Sequence, residues 1–288
     1  MINLQRYCNI IYKKIIALTN NNHQIKISEK EIIFISTNYP TDLTDEQRAL
    51  IKHYFPYGNK SEWHKRSLVN AVLYLIKTGC QWRMLPNDFP PYSTVHSFYR
   101  RAKHSGLWKH IMHDLVKLTR VNDGRNESPS YGIIDSQSVK TTSASEERGI
   151  DGGKKIKGRK RHIVVDIMGN ILAVCVHAAN IHDTKSGIIP AKQAYALYPT
   201  LESFCGDDGY RKSFEENVSS TLGLEVDISK RIKPTFEILP KRWVVERTFS
   251  WLNHSRRLSK DYEITTSSEE AIIMISHIHT LLKRATLS

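Results

Sequence analysis

The stretch RHIVVDIMGNILAVCVHAA, residues 161–179, carries the strongest fold signal in the sequence. Two apolar runs flank the dipeptide Gly169-Asn170, and a dipeptide of this kind between strand-like runs is typical of a tight antiparallel turn. The stretch therefore predicts a β-hairpin with a two-residue turn.

Short strands and helices alternate around this hairpin. YGIIDSQSV at 131–139 predicts a short apolar strand that ends in an acid, and ESFCGDDGY at 202–210 predicts another. The other expected elements are helices at 182–198, 211–223 and 241–258 and a strand at 224–229. This order predicts an α/β fold, in which helical crossovers connect the strands of a mixed sheet.

The segment before this region has the pattern of short helices. Thr44 or Asp45 can cap the first helix. KRSLVNAVLYLIKT at 65–78 places its apolar residues on one helical face, and Gly79 follows it as a stop signal. A helix capped by Ser93 or Thr94 and a helix at 107–118 complete this segment.

Arg100 and Arg101 give the third of these helices a basic face. Short helices joined by a proline-rich loop favour a helix-turn-helix-like DNA-binding domain, while an ordinary helical bundle with a solvated basic face fits the pattern about as well. The expected organisation is an N-terminal extension at 1–38, a helical DNA-binding domain at 39–120, a polar linker at 121–128 and an α/β domain at 129–285.

Composition restricts the classes of partner. The 288 residues include 42 Lys and Arg against 29 Asp and Glu, a net charge of +13. Such a balance points to an acidic partner, most often nucleic acid, although a basic protein without such a partner has the same composition. The four cysteines form no C-x-x-C pair, which excludes a disulfide framework or a zinc finger and fits a reducing cytoplasm. No signal peptide or transmembrane helix is expected.

Three acids stand at positions that could form a metal site. Asp135 and Asp207 are expected at the carboxyl ends of strands, where sites form in open α/β sheets. Glu246 is expected on the helix at 241–258. Carboxylate oxygens suit Mg²⁺ or Mn²⁺, and two such ions can promote phosphodiester chemistry. A single acid at a strand end is more often a turn or cap residue. The rival acids are Asp166, Asp183 and Asp208.

Cations cluster in two places that could contact DNA phosphates. Along the helix at 241–258, Glu246 shares one stripe with Arg242 and Arg257, which suits a metal–phosphate site or a structural Arg–Glu pair. The loop and strand at 149–162 form the second block, which is read as a phosphate-contact segment or a solvated loop. The cations expected to contact DNA here are Lys154, Lys155, Lys157, Arg159, Lys160, Arg161, Arg242, Arg247, Arg256 and Arg257.

Several motifs in order resemble those of the DDE transposases of bacterial insertion sequences, in the group numbered five of the IS4/IS5-like superfamily. They are GIIDSQSVKT, GGKKIKGRKRHIVVD, GDDGYRK and RWVVERTFSWLNHSRRLSKDYE, preceded by YPTDLTDEQRALIKHYFP and GCQWRMLPNDFPPYSTVHSFYRR. The resemblance covers about residues 39–285. It departs from the family in the extension at 1–38, at Leu239 near a place that is often Tyr, and at His254 where Arg is common.

The resemblance implies an RNase H-like domain with a site for two Mg²⁺ or Mn²⁺ ions. Asp135 then matches the first acid, Asp207 the second because Tyr210 sets the register of D-x-G-Y, and Glu246 the third, with Arg242 four residues before it. The implied reactions are hydrolysis at the ends of an element and attack of the freed 3′-hydroxyl on target DNA. The implied partners are duplex DNA, both terminal inverted repeats and target, and a second copy of the chain, at the bacterial nucleoid.

Two other functions stay open from the sequence. A decayed or repurposed transposase would bind DNA without cutting it, although the presence of all three acids favours catalysis. A general nuclease of the same fold would cut DNA that lacks element ends.

Overall fold

A computed structural model describes residues 39–56, 63–228 and 243–287 of the chain. The predicted N-terminal extension at 1–38, Leu239 and Arg242 lie outside the described residues. From Tyr39 onward the chain forms one unit. No helix within the described ranges has both the length and the apolar character needed to cross a bilayer.

A mixed sheet forms the centre of the protein, as the sequence predicts. Its strands are β1 (Tyr131–Lys140), β2 (Gly149–Asp151), β3 (Ile156–Val165), β4 (Ile171–Ala178), β5 (Ser203–Gly206) and β6 (Glu225–Ile228). β3 lies antiparallel to β1, β2 and β4, whereas β5 is parallel to both β1 and β6. Three parallel strands are thus extended on one side by an antiparallel hairpin.

The hairpin is confirmed, but its turn is longer than predicted. β3 ends at Val165 and β4 begins at Ile171, so the β3–β4 turn comprises residues 166–170 rather than Gly169-Asn170 alone. The buried carboxylate of Asp166 accounts for the difference, because it accepts hydrogen bonds from the backbone N–H groups of Met168 and Asn170 at 2.9 Å each. Gly169 adopts a positive φ of 82° inside this turn.

The helices around the sheet are shorter than the sequence pattern predicts. The expected helix at 182–198 is divided into α5 (Asp183–Ser186) and α6 (Ile188–Leu197), and α7 spans Ser213–Leu222. The expected helix at 241–258 ends early: α8 spans Trp243–Asn253, and a separate 3₁₀ turn covers Arg256–Leu258. The buried Ser255 hydroxyl bonds the hydroxyl of Ser276 at 2.8 Å, which ties the chain down where it leaves the helix.

Four helices precede the sheet: α1 (Asp45–Ile51), α2 (Lys65–Thr78), α3 (Tyr92–His104) and α4 (Leu107–Asn122). Thr44 caps α1, with Gln47 completing a capping box, and α2 has the predicted bounds. The predicted cap of α3 at Ser93 or Thr94 is wrong, because α3 begins at Tyr92 directly after Pro91, without a side-chain cap.

The helix α9 (Thr266–Ala285) was not identified from the sequence, yet it connects the two regions. It packs against α2 and α4 on one side and against β4 on the other. The buried apolar residues of the helical region and of the sheet consequently belong to one continuous core. The helix-turn-helix-like assignment of residues 39–120 stays a prediction.

Two histidines inside this core make the fold sensitive to acid. Burial lowers the pKa of His162 and of His277 to about 3. Below a pH of about 6.5 these histidines are therefore protonated in the unfolded chain but stay neutral in the folded chain. The free energy of unfolding consequently falls by about 2 kcal/mol per histidine at pH 5. We expect the urea midpoint to drop between pH 7.5 and pH 5. His277→Gln, which keeps an acceptor for the Ile171 N–H, should flatten that dependence, and identical pH profiles for both proteins would contradict the assignment.

Candidate active site

Asp135 lies in the middle of a strand and not at its end. β1 continues to Lys140, because residues beyond Asp135 stay paired with β3, as in Ser136 opposite His162. Asp135 itself is half-buried and lies opposite Ile163. The prediction that the strand ends in this acid is therefore wrong, although the residue remains on the sheet beside the end of β5.

Asp207 follows directly after β5, as predicted. Its carboxylate accepts a hydrogen bond from the Gly209 N–H at 2.9 Å and caps the 3₁₀ turn Asp208–Tyr210. β1 and β5 are parallel with Ile133 opposite Cys205. The β1–β5 pairing ends at Ile133 and Cys205. Continued by two residues, this register would place Asp135 level with Asp207.

Asp208 differs from Asp135 and Asp207 in being exposed to solvent. Its exposed carboxylate forms a surface ion pair with Arg211 at 2.9 Å. The choice of Asp207 over Asp208 as the site acid stays a prediction.

Glu246 lies in the first turn of α8, on the exposed side of that helix. The opposite side packs on β1 and β3 through five buried residues, which are Val244, Val245, Thr248, Phe249 and Leu252. Arg257, expected on the same polar stripe, lies on the separate 3₁₀ turn after α8. Arg257 is therefore not on the helix that carries Glu246, which corrects that part of the predicted stripe, whereas Arg242 lies outside the described residues.

The carboxylates of Asp135, Asp207 and Glu246 are ligands that suit a divalent cation. Strand pairing relates only Asp135 and Asp207, through the register of β1 with β5. Among residues 39–56, 63–228 and 243–287, no three His, Cys, Asp or Glu side chains cluster at metal-binding distance. Three carboxylates nevertheless lie close enough to Tyr210 to affect its hydroxyl. Burial is the main reason that the pKa of this hydroxyl is well above its usual value, and the charges of Asp135, Asp183 and Asp207 raise it further. A cation bound there would relieve this repulsion.

Asp183, a rival acid in the sequence, is neutralised by a neighbouring lysine. Lys160 Nζ lies 3.0 Å from Asp183 Oδ1 and donates to Ile181 O at 3.0 Å, and the Ser136 hydroxyl also donates to Asp183 Oδ1 at 2.9 Å. Burial is the largest single influence and opposes ionisation, but the contacts with Lys160, His162 and Ser136 together outweigh it, and the pKa of Asp183 is lowered. Lys160 is buried in this pair, so its predicted contact with DNA phosphates is corrected.

A buried hydrogen-bond chain behind the acids was missed from the sequence. His177 Nδ1 lies 3.0 Å from Ala178 O, and because a carbonyl only accepts, this nitrogen carries the proton. His177 Nε2 then accepts from His162 Nδ1 at 3.3 Å, and His162 Nε2 accepts the Tyr210 hydroxyl at 2.5 Å. Tyr210 consequently donates its hydroxyl proton to His162. No local signal marks the two histidines, since they lie on different strands.

Arg159 and Arg161 are buried and do not face a DNA backbone. Both side chains are fully inaccessible, and Arg159 Nη1 bonds Asp261 Oδ2 at 2.9 Å. Arg161 Nε bonds Glu269 Oε1 at 2.6 Å. A guanidinium enclosed by a carboxylate cannot also reach a phosphate, so the predicted DNA contacts of these two arginines are corrected.

Two further arginines on the C-terminal side are engaged inside the protein. Arg257 Nη2 pairs with Glu263 at 2.6 Å and is largely buried, which corrects its predicted DNA contact. The guanidinium of Arg247 is stacked between the rings of Trp243 and Trp251, with centroid distances of 4.3 and 4.6 Å. The predicted DNA-contact residues that are exposed are Lys154, Lys155, Lys157, Arg100, Arg101 and Arg256.

Comparison with known proteins identifies two matching families. Residues 126–281, more than half of the chain, match the family described as "Transposase DDE domain". Residues 43–112 match the family described as "Putative transposase of IS4/5 family". A relative described as "Putative transposase for insertion sequence element IS402", from Burkholderia cepacia, is 34% identical over 114 residues, which cover 37% of this chain and 54% of the relative. The chain thus spans about half the length of that relative.

Proposed function

The chain belongs to the DDE transposases, and we propose that it cuts DNA at the ends of an insertion sequence and joins the freed 3′-hydroxyls to target DNA. The observation that supports the proposal is the parallel pairing of β1 with β5, which, if continued by two residues, would set Asp135 level with Asp207 within the residues that match the DDE domain. Acids brought together from separate strands are characteristic of a site and not of two independent turns.

Asp135 and Asp207 would hold one or two Mg²⁺ or Mn²⁺ ions, and Glu246 on α8 would supply the third carboxylate. When bound, such ions supply activation of the attacking oxygen and stabilisation of the leaving oxygen of the phosphodiester. The protein side of the reaction is orientation. The Gly209 N–H fixes the Asp207 carboxylate, and Tyr210, whose proton is committed to His162, donates none to the acids.

We infer that a basic segment, formed by the β2–β3 loop and the start of β3, holds DNA beside these acids. Lys154 Nζ lies 3.4 Å from Ser136 O, next to Asp135, and Lys154, Lys155 and Lys157 are exposed. An exposed cationic loop at the rim of a carboxylate site suits the phosphate backbone that flanks a scissile bond.

Replacing Lys154, Lys155 and Lys157 together with alanine should weaken DNA binding in a salt-dependent way. Each lost phosphate contact is expected to reduce the slope of log K against log salt concentration by about 0.9, which fluorescence anisotropy at several salt concentrations measures. Lys192→Ala, an exposed lysine on α6, is the matched control and should leave the slope unchanged. An unchanged slope in the triple variant would show that these three lysines do not contact DNA phosphates.

A cleavage assay tests the proposed function. Purified protein is mixed with a labelled duplex carrying the DNA that flanks its gene, with Mg²⁺ or Mn²⁺ or with a chelator. Metal-dependent nicking at one defined end supports the transposase. Binding without nicking under every metal condition would favour the DNA-binding alternative, and nicking of unrelated duplexes at the same rate would favour a general nuclease.

The assembly on DNA is also a proposal. Joining two element ends to one target requires that both ends be held together, so we propose at least a homodimer on DNA. The exposed Arg100 and Arg101 on α3 make residues 39–120 the proposed surface for recognising the terminal repeats.

A further inference from the structure

The position of α8 determines where Glu246 lies. That position depends on contacts between α8 and the rest of the protein. The helix spans 11 residues, and an isolated helix of about that length is marginal in water, so packing decides its place. Its inner face is apolar except for Thr248, which is fully buried. Apolar contacts alone permit a helix to slide or rotate, whereas a hydrogen bond has a defined direction and length.

The two residues that follow Glu246 both bind the β3–β4 turn. Thr248 Oγ1 lies 3.0 Å from Gly169 O and 3.0 Å from Val244 O of its own helix, so its single proton is shared between the turn and α8. Arg247 Nη2 donates to Met168 O at 2.9 Å. These are consecutive carbonyls of one turn, so the two bonds together define the height and rotation of α8 on the sheet.

The approach of α8 to the turn is close enough to require a glycine. A Cβ at Gly169 would lie 2.7 Å from Thr248 Oγ1 and 3.1 Å from Trp251, and the φ of 82° disfavours any other L residue. Thr248 and Gly169 therefore fit each other in both space and backbone conformation.

The turn is itself anchored from two further helices. Arg120 of α4 donates to Asp166 Oδ2 at 2.7 Å, in a pair that is almost completely buried. Arg284 of α9 donates to Asn170 Oδ1 at 2.8 Å. A turn held from α4, α9 and its own backbone offers α8 a fixed reference point.

The same strand also places Asp135. β3 pairs Ile163 with Asp135 and enters the turn three residues later, at Asp166. We propose that the β3–β4 turn positions Glu246 against Asp135, with Thr248 and Arg247 as positioning residues that act through the backbone of the turn. The inference rests on the proposed function in one respect, the role of Glu246 as the third carboxylate.

The test uses variants of the full chain that remove or keep the Thr248 hydroxyl. Thr248→Val keeps the shape and loses the donor, whereas Thr248→Ser keeps the donor. We expect Thr248→Val to weaken Mn²⁺ binding, measured by calorimetry, and strand cleavage by roughly 10–100-fold, the range for residues that support metal ligands. Thr248→Ser should restore most of both. Thr119→Val is the matched control, because that buried hydroxyl bonds only its own helix, at Val116 O.

A double variant separates positioning from general damage. If Thr248 acts through Glu246, Thr248→Val should cause little further loss of Mn²⁺ affinity in a Glu246→Gln background. Equal losses in both backgrounds would overturn the inference while leaving the role of Glu246 intact. If Glu246→Gln alone changes neither Mn²⁺ binding nor cleavage, the proposed third carboxylate fails instead.

A second variant keeps the inference testable if Thr248→Val does not fold. Arg247→Met removes the bond to Met168 O and keeps a long side chain between the two tryptophans. A folded Arg247→Met protein with parental Mn²⁺ affinity and cleavage would overturn the inference.

Discussion

Asp207→Asn is expected to abolish strand cleavage while DNA binding persists. The amide oxygen of asparagine can still accept the Gly209 N–H, so the turn after β5 should survive. What is lost is the negative charge that would hold a divalent ion, and a loss of several kcal/mol of transition-state stabilisation lowers the rate by roughly 1,000-fold or more. Single-turnover cleavage of a labelled duplex measures this, with anisotropy on the same duplex reporting binding.

Asp208→Asn provides the matched control, since it makes the same change at the adjacent residue. Asp208 is exposed and paired with Arg211, so its replacement should leave cleavage near the parental rate. The reverse outcome, loss at position 208 and activity at 207, would shift the site by one residue and contradict the register with β1.

The largest expected loss of stability follows from Arg161→Met. Arg161 and Glu269 are completely buried, and removing one partner of such a pair costs roughly 3–5 kcal/mol when the other group is charged, so the full loss is expected above the pKa of Glu269. Burial already raises the pKa of Glu269 to about 8 against the opposing charge of Arg161. Without Arg161 this pKa rises further, and because it lies above the unfolded value, the deficit should grow as the pH rises past 8. Urea unfolding at pH 7 and pH 9 measures both effects.

Two comparison proteins decide what the Arg161 loss means. The double variant Arg161→Met with Glu269→Met removes both charges and should recover much of the stability. Arg125→Met breaks only a surface pair with Asp123 and should change stability by less than about 1 kcal/mol. A folded, stable Arg161→Met protein with a reduced salt slope for DNA binding would instead restore Arg161 as a phosphate contact.

Local patterns were sufficient to predict the elements whose signals are local. The bounds of α2 follow from its apolar face and from Gly79, and the hairpin follows from two apolar runs about a turn dipeptide. The assignment of Asp207 over Asp208 depended on Tyr210 setting a short register and stays a prediction. The roles of these acids remain proposals.

Contacts between distant segments could not be predicted from the sequence. Arg159 and Arg161 look like a DNA-binding run because their partners, Asp261 and Glu269, are more than 100 residues away. Asp135 looked like a strand end because the strand that continues its pairing is on another part of the chain. The helix α9 is different: Thr265 caps it by accepting from the Ser268 N–H, so a local signal existed and was not recognised.

The place of α9 in the chain sets an order on folding. This helix comes after every strand and helix that it joins, yet it buries the inner faces of both the helical region and the sheet. During synthesis those faces therefore stay exposed to solvent until residues 266–285 leave the ribosome. The contacts that join the helical region to the sheet through α9 cannot form before then. A nascent chain stalled ahead of α9 is thus expected to recruit chaperones or to aggregate.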